Sequence, residues 1–134
     1  MMTKLRRGMA LAATMTGASA APATFATRVA PILEQNCTVC HGADKQKAEL
    51  RLDSFASILH GAKSGEVVKP GDLKGSELLR RVSLPATDED VMPADDKPHL
   101  TAGEIAVLET WIAAGAPETA EFDADVTIDA ICDA

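Results

Sequence analysis

The sequence predicts an all-α fold for a chain of 134 residues. Apolar residues recur at helical spacing in one segment near the N-terminus and in another towards the C-terminus. Residues that favour helix N-caps precede three of the four candidate helices. The sequence has no internal repeat and no sustained alternation of apolar and polar residues, which would indicate strands.

The first predicted helix runs over residues 24–36. Its apolar residues fall on one helical face, namely Phe25, Val29, Ile32 and Leu33. Pro31 lies inside this pattern and should kink the helix or make it restart, because proline has no N–H to donate.

Two shorter helices are predicted in the middle of the chain. Asp53 or Ser54 can cap a helix that carries Phe55, Ile58 and Leu59 and that Gly61 is well placed to end. A loop rich in glycine and proline follows over residues 64–74. Ser76 is then a suitable N-cap for a helix through residue 82.

The last helix has the clearest boundaries. Thr101 and Glu104 have the spacing of a capping box, and Gly115 followed by Pro117 ends the helix. Its apolar stripe consists of Ile105, Leu108, Trp111 and Ile112.

The first 20 residues have the three-part order of a secretory signal peptide. Lys4, Arg6 and Arg7 precede an uncharged, mildly apolar stretch and an Ala-Ser-Ala cleavage site that ends at Ala20; Ala26 is a second candidate cleavage site. We therefore expect a periplasmic protein with a domain at residues 21–117 and an acidic tail at 118–134. No later stretch approaches the roughly 20 apolar residues of a membrane span.

The net charge is −7, and loss of the leader, with its three basic residues, lowers it to −10. Such a charge disfavours binding to nucleic acid or to anionic membrane surfaces. It favours protein partners that present a basic docking face.

The segment Cys37-Thr38-Val39-Cys40-His41 has the spacing of the attachment motif of a c-type haem. Two thiols can form thioether bonds with the porphyrin vinyl groups, and the adjacent histidine can ligate the iron. The sequence therefore predicts one covalently bound haem c, held by Cys37 and Cys40, with His41 as an axial iron ligand. The other nitrogen of this histidine should donate to a backbone carbonyl, for which Pro70 is the candidate.

Met92 is the preferred sixth ligand of the iron. It lies about fifty residues after the motif, beside Pro93, and is the only methionine left after removal of the leader. A methionine and a histidine are a common ligand pair for c-type iron. His99 is the alternative ligand, His60 is a weaker one, and an open sixth position is a further possibility.

Other residues are candidates for the surroundings of the haem. Arg51 and Arg80 could bind the propionates, and Trp111 could form part of the pocket wall. Cys132 is left over as a third cysteine and could be a free thiol or link a dimer.

Residues 37–116 resemble the small class I c-type cytochromes, and in particular the planctomycete-type cytochrome c domain. The resemblance rests on four blocks: CTVCHG, ELRLDS, VVKPGDLKGSELLRRV and VMPADDKPHLTAGEIAVLETWIAAGA. It implies a few helices wrapped around one haem, with Cys37 and Cys40 as thioether donors and His41 and Met92 as axial ligands.

The motif and the resemblance favour a one-electron carrier, not itself an enzyme, that works between redox protein partners. The first alternative is a haem domain with an open sixth position, acting as a sensor or as an oxidoreductase subunit. A second alternative is a zinc module built from Cys37, Cys40, His41 and Cys132, although adjacent ligands at 40 and 41 would crowd a tetrahedral ion.

Overall fold

The computed structural model describes residues 22–94 and 97–124. These ranges contain four α-helices, α1 (Ala30–Asn36), α2 (Phe55–His60), α3 (Glu77–Val82) and α4 (Ala102–Ala113). A π-helical turn, Phe25–Val29, precedes α1, and a 3₁₀ turn, Lys47–Glu49, lies between α1 and α2. The described residues form no β-strand, only isolated bridges, so the predicted all-α class is confirmed. The predicted leader at 1–20 and Cys132 lie outside the described residues.

The predicted first helix forms as two pieces that meet at Ala30. The Oγ1 atom of Thr24 caps the π-helical turn by accepting from Thr27 N (3.4 Å), and Ala30 N–H donates to Phe25 O, five residues back. Pro31 has no N–H with which to extend this pattern, so α1 restarts around it, with proline in the first turn, where a missing N–H is tolerated.

Two of the predicted helix caps are present. Ser54 Oγ accepts a hydrogen bond from Ser57 N (3.2 Å) at the start of α2. At the start of α4, Thr101 Oγ1 accepts from Glu104 N (3.2 Å), and the Glu104 carboxylate accepts from Thr101 N (3.0 Å), which completes the capping box. The start of the longest helix is thus fixed by its own sequence.

Ser76 occupies the N-cap position of α3, but its side chain does not cap the helix. Its fully buried hydroxyl instead accepts from Lys69 N (2.9 Å) and donates to Asp72 O (2.7 Å). This side chain therefore closes the loop in front of α3.

The core is built around α4, which packs against the π-helical turn and α3. Trp111 is fully buried, its ring centroid lies 5.5 Å from that of Phe25, and its Nε1 donates to Pro117 O (2.9 Å). Phe122, in the first part of the predicted tail, is also buried, and its N–H donates to Ala23 O (2.9 Å). No helix in the described ranges is long and apolar enough to cross a membrane.

Candidate haem-binding site

A cavity of about 200 Å³ lies between the turn that follows α1, the helix α3 and the segment around Met92. Its walls are mainly apolar and include five buried side chains: Leu50, Leu52, Val67, Leu78 and Val82. Val39 also lines the cavity, yet it is 69% exposed, which marks where the cavity opens to solvent. Four of the predicted site residues line this one space: Cys37, Cys40, His41 and Met92.

The turn after α1 presents both cysteines to the cavity. Cys37 O accepts hydrogen bonds from Cys40 N (3.2 Å) and His41 N (3.0 Å), which folds the motif into a compact turn. Gly42 N–H then donates to Lys45 O (2.8 Å). A side chain at Gly42 would collide with the carbonyl oxygen of Thr38, so the turn needs glycine because of close packing.

The ring of His41 is held by a backbone carbonyl. Its Nδ1 lies 3.1 Å from Lys47 O, and its own carbonyl accepts from Leu52 N (2.7 Å). The structure thus places Lys47 at the position for which Pro70 was the candidate, and Pro70 does not line the cavity. Burial lowers the pKa of His41, which favours the neutral ring.

The 3₁₀ turn that carries Lys47 has an unusual backbone. Ala48 (φ 58°) and Glu49 (φ 56°) both adopt the left-handed conformation, although neither is glycine. This conformation costs roughly 1–2 kcal/mol per residue. Sequence reasoning missed the turn because no glycine or asparagine marks it.

The two cysteines are free thiols in different surroundings. Burial raises the pKa of Cys37 to about 11, and the carboxylate of Glu104 adds to this effect. Lys97 Nζ lies 3.2 Å from Cys40 Sγ, and this hydrogen bond holds the pKa of Cys40 below its ordinary value.

Met92 is the only sixth-ligand candidate that lines the cavity. Its side chain is half-buried, and its N–H donates to Arg81 O (3.1 Å), which ties this segment to the end of α3. His99 is exposed and does not line the cavity. His60 is exposed and lies at a second, polar hollow.

The structure places the other residues that were predicted to surround the haem away from the cavity. Arg51 pairs with Asp53 (2.6 Å), and Arg80 pairs with Glu77 (2.7 Å). Neither of these arginines lines the cavity, and neither does the buried Trp111.

Among the described residues, three other cationic side chains line the cavity, namely Arg81, Lys47 and Lys97. Arg81 lies on the same helix face as Leu78, three residues earlier, and this spacing was the sequence signal that could have identified it.

The donor set fits a c-type haem. Two free thiols, an imidazole and a thioether sulfur line one apolar space that also has cationic side chains. The apolar walls suit the flat porphyrin ring of haem, and the cations suit its carboxylates. Among residues 22–94 and 97–124, no three His, Cys, Asp or Glu side chains form a group that could hold a metal ion.

An all-α arrangement in which a Cys-x-x-Cys-His turn and a methionine share one apolar cavity is similar to a cytochrome c domain. Residues 37–96 match the family model of planctomycete cytochrome C, which confirms the resemblance found in the sequence. This family suggests a haem-binding role in electron transfer. No curated protein and no solved structure matches the chain.

Proposed function

We propose that the protein is an exported c-type cytochrome with one haem, which carries single electrons between redox partners. The observation that carries this proposal is the joint placement of Cys37, Cys40, His41 and Met92 on one apolar cavity. The family match supports the same role. When bound, haem c supplies an iron atom that alternates between the ferrous and ferric states.

The contact between His41 and Lys47 supports the role of His41 as an iron ligand. A carbonyl oxygen can only accept a hydrogen bond, so Nδ1 must be the nitrogen that carries the proton. The Nε2 atom then has a free lone pair, which is the form that binds a metal. The same hydrogen bond fixes the plane of the imidazole ring.

Met92 is the proposed second axial ligand. The hydrogen bond from its N–H to Arg81 O holds the methionine backbone beside the cavity. Methionine paired with histidine raises the reduction potential of c-type iron. We therefore expect the iron to be readily reduced, as an electron carrier requires.

Arg81 is the proposed partner for a haem propionate. Its Nε donates to Glu77 Oε1 (2.8 Å), which leaves the terminal N–H groups of the guanidinium for a second carboxylate. Arg51 and Arg80 are less suitable, because each makes a two-bond contact with a carboxylate of the protein itself and lies off the cavity.

Export to the periplasm through a leader at residues 1–20 is part of this proposal. The order of charged, apolar and small residues in the leader supports it. The measurement is the N-terminal sequence of the exported protein, which should begin at Ala21 or, for the second cleavage site, at Thr27. An intact Met1 on the exported protein would contradict it.

The ligand assignment is tested by the ferric absorption spectrum of the exported protein and of Met92→Leu. Leucine keeps the apolar bulk and removes only the sulfur, so it separates ligation from packing. Wild type should show the weak far-red band of a methionine–iron bond and bind cyanide slowly. Met92→Leu should lose the band and bind cyanide rapidly while retaining its covalent haem. A wild-type protein that lacks the band and binds cyanide rapidly would favour the haem domain with an open position.

A further inference from the structure

A pair of side chains joins the last residue of α1 to the first turn of α4. Asn36 Nδ2 donates to Glu104 Oε2 (3.1 Å) and also to Ile32 O (2.8 Å). The other carboxylate oxygen, Glu104 Oε1, accepts from Thr101 N (3.0 Å) within the capping box. Both Asn36 and Glu104 are half-buried. The carboxylate of Glu104 is therefore held at two points.

This pair lies beside the haem-attachment turn. Asn36 directly precedes Cys37, and both residues line the cavity. Burial is the main cause of the raised pKa of Cys37, and the charge of Glu104 is the second cause. Glu104 itself does not line the cavity. Its carboxylate therefore acts on the Cys37 end of the cavity through its charge, without direct contact with a ligand there.

The negative charge of Glu104 is not neutralised by an ion pair. Among the described residues, no lysine, arginine or histidine forms an ion pair with it. Glu77, which does line the cavity, is in contrast paired with Arg80 (2.7 Å) and Arg81 (2.8 Å). Salt screens a partly buried charge less than an exposed one, so the charge of Glu104 is felt in the cavity at ordinary ionic strength.

We propose that Glu104, held in place by Asn36 and Thr101, lowers the reduction potential of the bound haem. This inference rests on the proposed electron-carrier function. Ferric haem carries one more positive charge than ferrous haem, so a fixed anion nearby stabilises the ferric form. The carboxylate thus offsets part of the increase in potential expected from a methionine ligand.

The test is a potentiometric titration of the exported, haem-loaded protein and of Glu104→Gln at an ionic strength of about 0.1 M. Glutamine is also accepted at this position of a capping box, so the variant removes the charge and keeps the start of α4. At a fixed applied potential, the ratio of ferrous to ferric protein should rise about fivefold, which is about 40 mV for one electron. An unchanged or lower potential would overturn the proposal.

Glu109→Gln is the matched control for charge. Glu109 lies on the same helix, is half-buried like Glu104 and does not line the cavity. It is five residues further on, which places it about 7.5 Å along the axis and on a different face. Its removal should change the ratio less than about twofold. Equal shifts in Glu104→Gln and Glu109→Gln would show an effect of net charge alone and would refute the proposal.

Two more variants separate charge from packing. Thr101→Ala weakens the start of α4 but keeps the carboxylate, so it should lower the melting temperature and leave the potential unchanged. A shift as large as that of Glu104→Gln would make the effect structural and the proposal wrong. Glu104→Asp keeps the charge on a side chain one methylene shorter, which cannot reach both Asn36 and Thr101 N. Its potential should rise by less than that of Glu104→Gln, and a wild-type potential would refute the role of the two hydrogen bonds.

Failure of this inference is distinct from failure of the proposed function. A protein without covalent haem, or without a one-electron transition, contradicts the electron-carrier function itself. A normal one-electron transition at the same potential in wild type and Glu104→Gln leaves that function intact and contradicts only the role of Glu104.

Discussion

Replacement of Gly42 by alanine should destabilise the turn that carries the haem-attachment motif. The new Cβ would overlap the carbonyl oxygen of Thr38, which is a backbone atom and cannot rotate away. The turn is held on both sides, because Thr38 N donates to Leu33 O (3.1 Å) and Gly42 N donates to Lys45 O (2.8 Å). Relief of the overlap must therefore break or stretch one of these hydrogen bonds.

We expect Gly42→Ala to lower the free energy of unfolding by about 3 kcal/mol, which is the upper end of the range for overpacked sites. For a domain of about 100 residues, that loss corresponds to a fall in melting temperature of about 15 °C. The assay is thermal unfolding of the exported protein, with its intact mass measured to count the covalent haem. We expect Gly42→Ala to melt earlier and to carry less haem than wild type.

Two other glycines provide matched controls. Gly103 lies in the first turn of α4 with only Thr101 Oγ1 near its added Cβ (3.9 Å), so Gly103→Ala should be neutral or slightly stabilising. Gly115 has φ +96° and open space, so Gly115→Ala should cost about 1 kcal/mol through backbone strain alone. A Gly42→Ala protein as stable and as fully loaded as Gly103→Ala would refute the argument from collision.

Three further substitutions test the fold. Thr101→Ala removes the capping box of α4 and should cost about 1 kcal/mol in urea unfolding, whereas Thr101→Ser should cost little. Glu77 has a pKa of about 2, below its ordinary 4.5, because two arginines donate to it; its contribution to stability is therefore full above pH 4.5 and is lost as the pH falls towards 2. Stability of Glu77→Gln measured over that range should decline less steeply than that of wild type, and parallel curves would contradict the pairing. Trp111→Phe removes a buried donor to Pro117 O and part of a ring, so urea unfolding should show a loss of about 2–3 kcal/mol.

The helices and the attachment turn were predictable because their determinants are local. The capping box of Thr101, the cap at Ser54 and the end of α2 at Gly61 each depend on residues a few positions apart. The motif itself fixes Cys37, Cys40 and His41 within one turn, for the same reason.

Features that depend on tertiary packing were not predictable. Lys47 O, which lies 3.1 Å from the ring of His41, belongs to a turn in which two residues without any sequence signal adopt left-handed backbone conformations. The hydroxyl of Ser76 turns into the preceding loop, which the preference of serine for N-caps does not reveal. Arg81 lines the cavity and Arg80 does not, because adjacent residues on a helix point in different directions.

The central claim is that Cys37, Cys40, His41 and Met92 together hold one haem that carries one electron. A potentiometric titration of the exported protein, followed by absorption spectroscopy, tests it most directly. The account predicts a single one-electron transition, with the ferric form showing the methionine–iron band and the haem remaining bound after denaturation. A protein without covalent haem, or one whose spectrum requires more than one transition, would contradict the account.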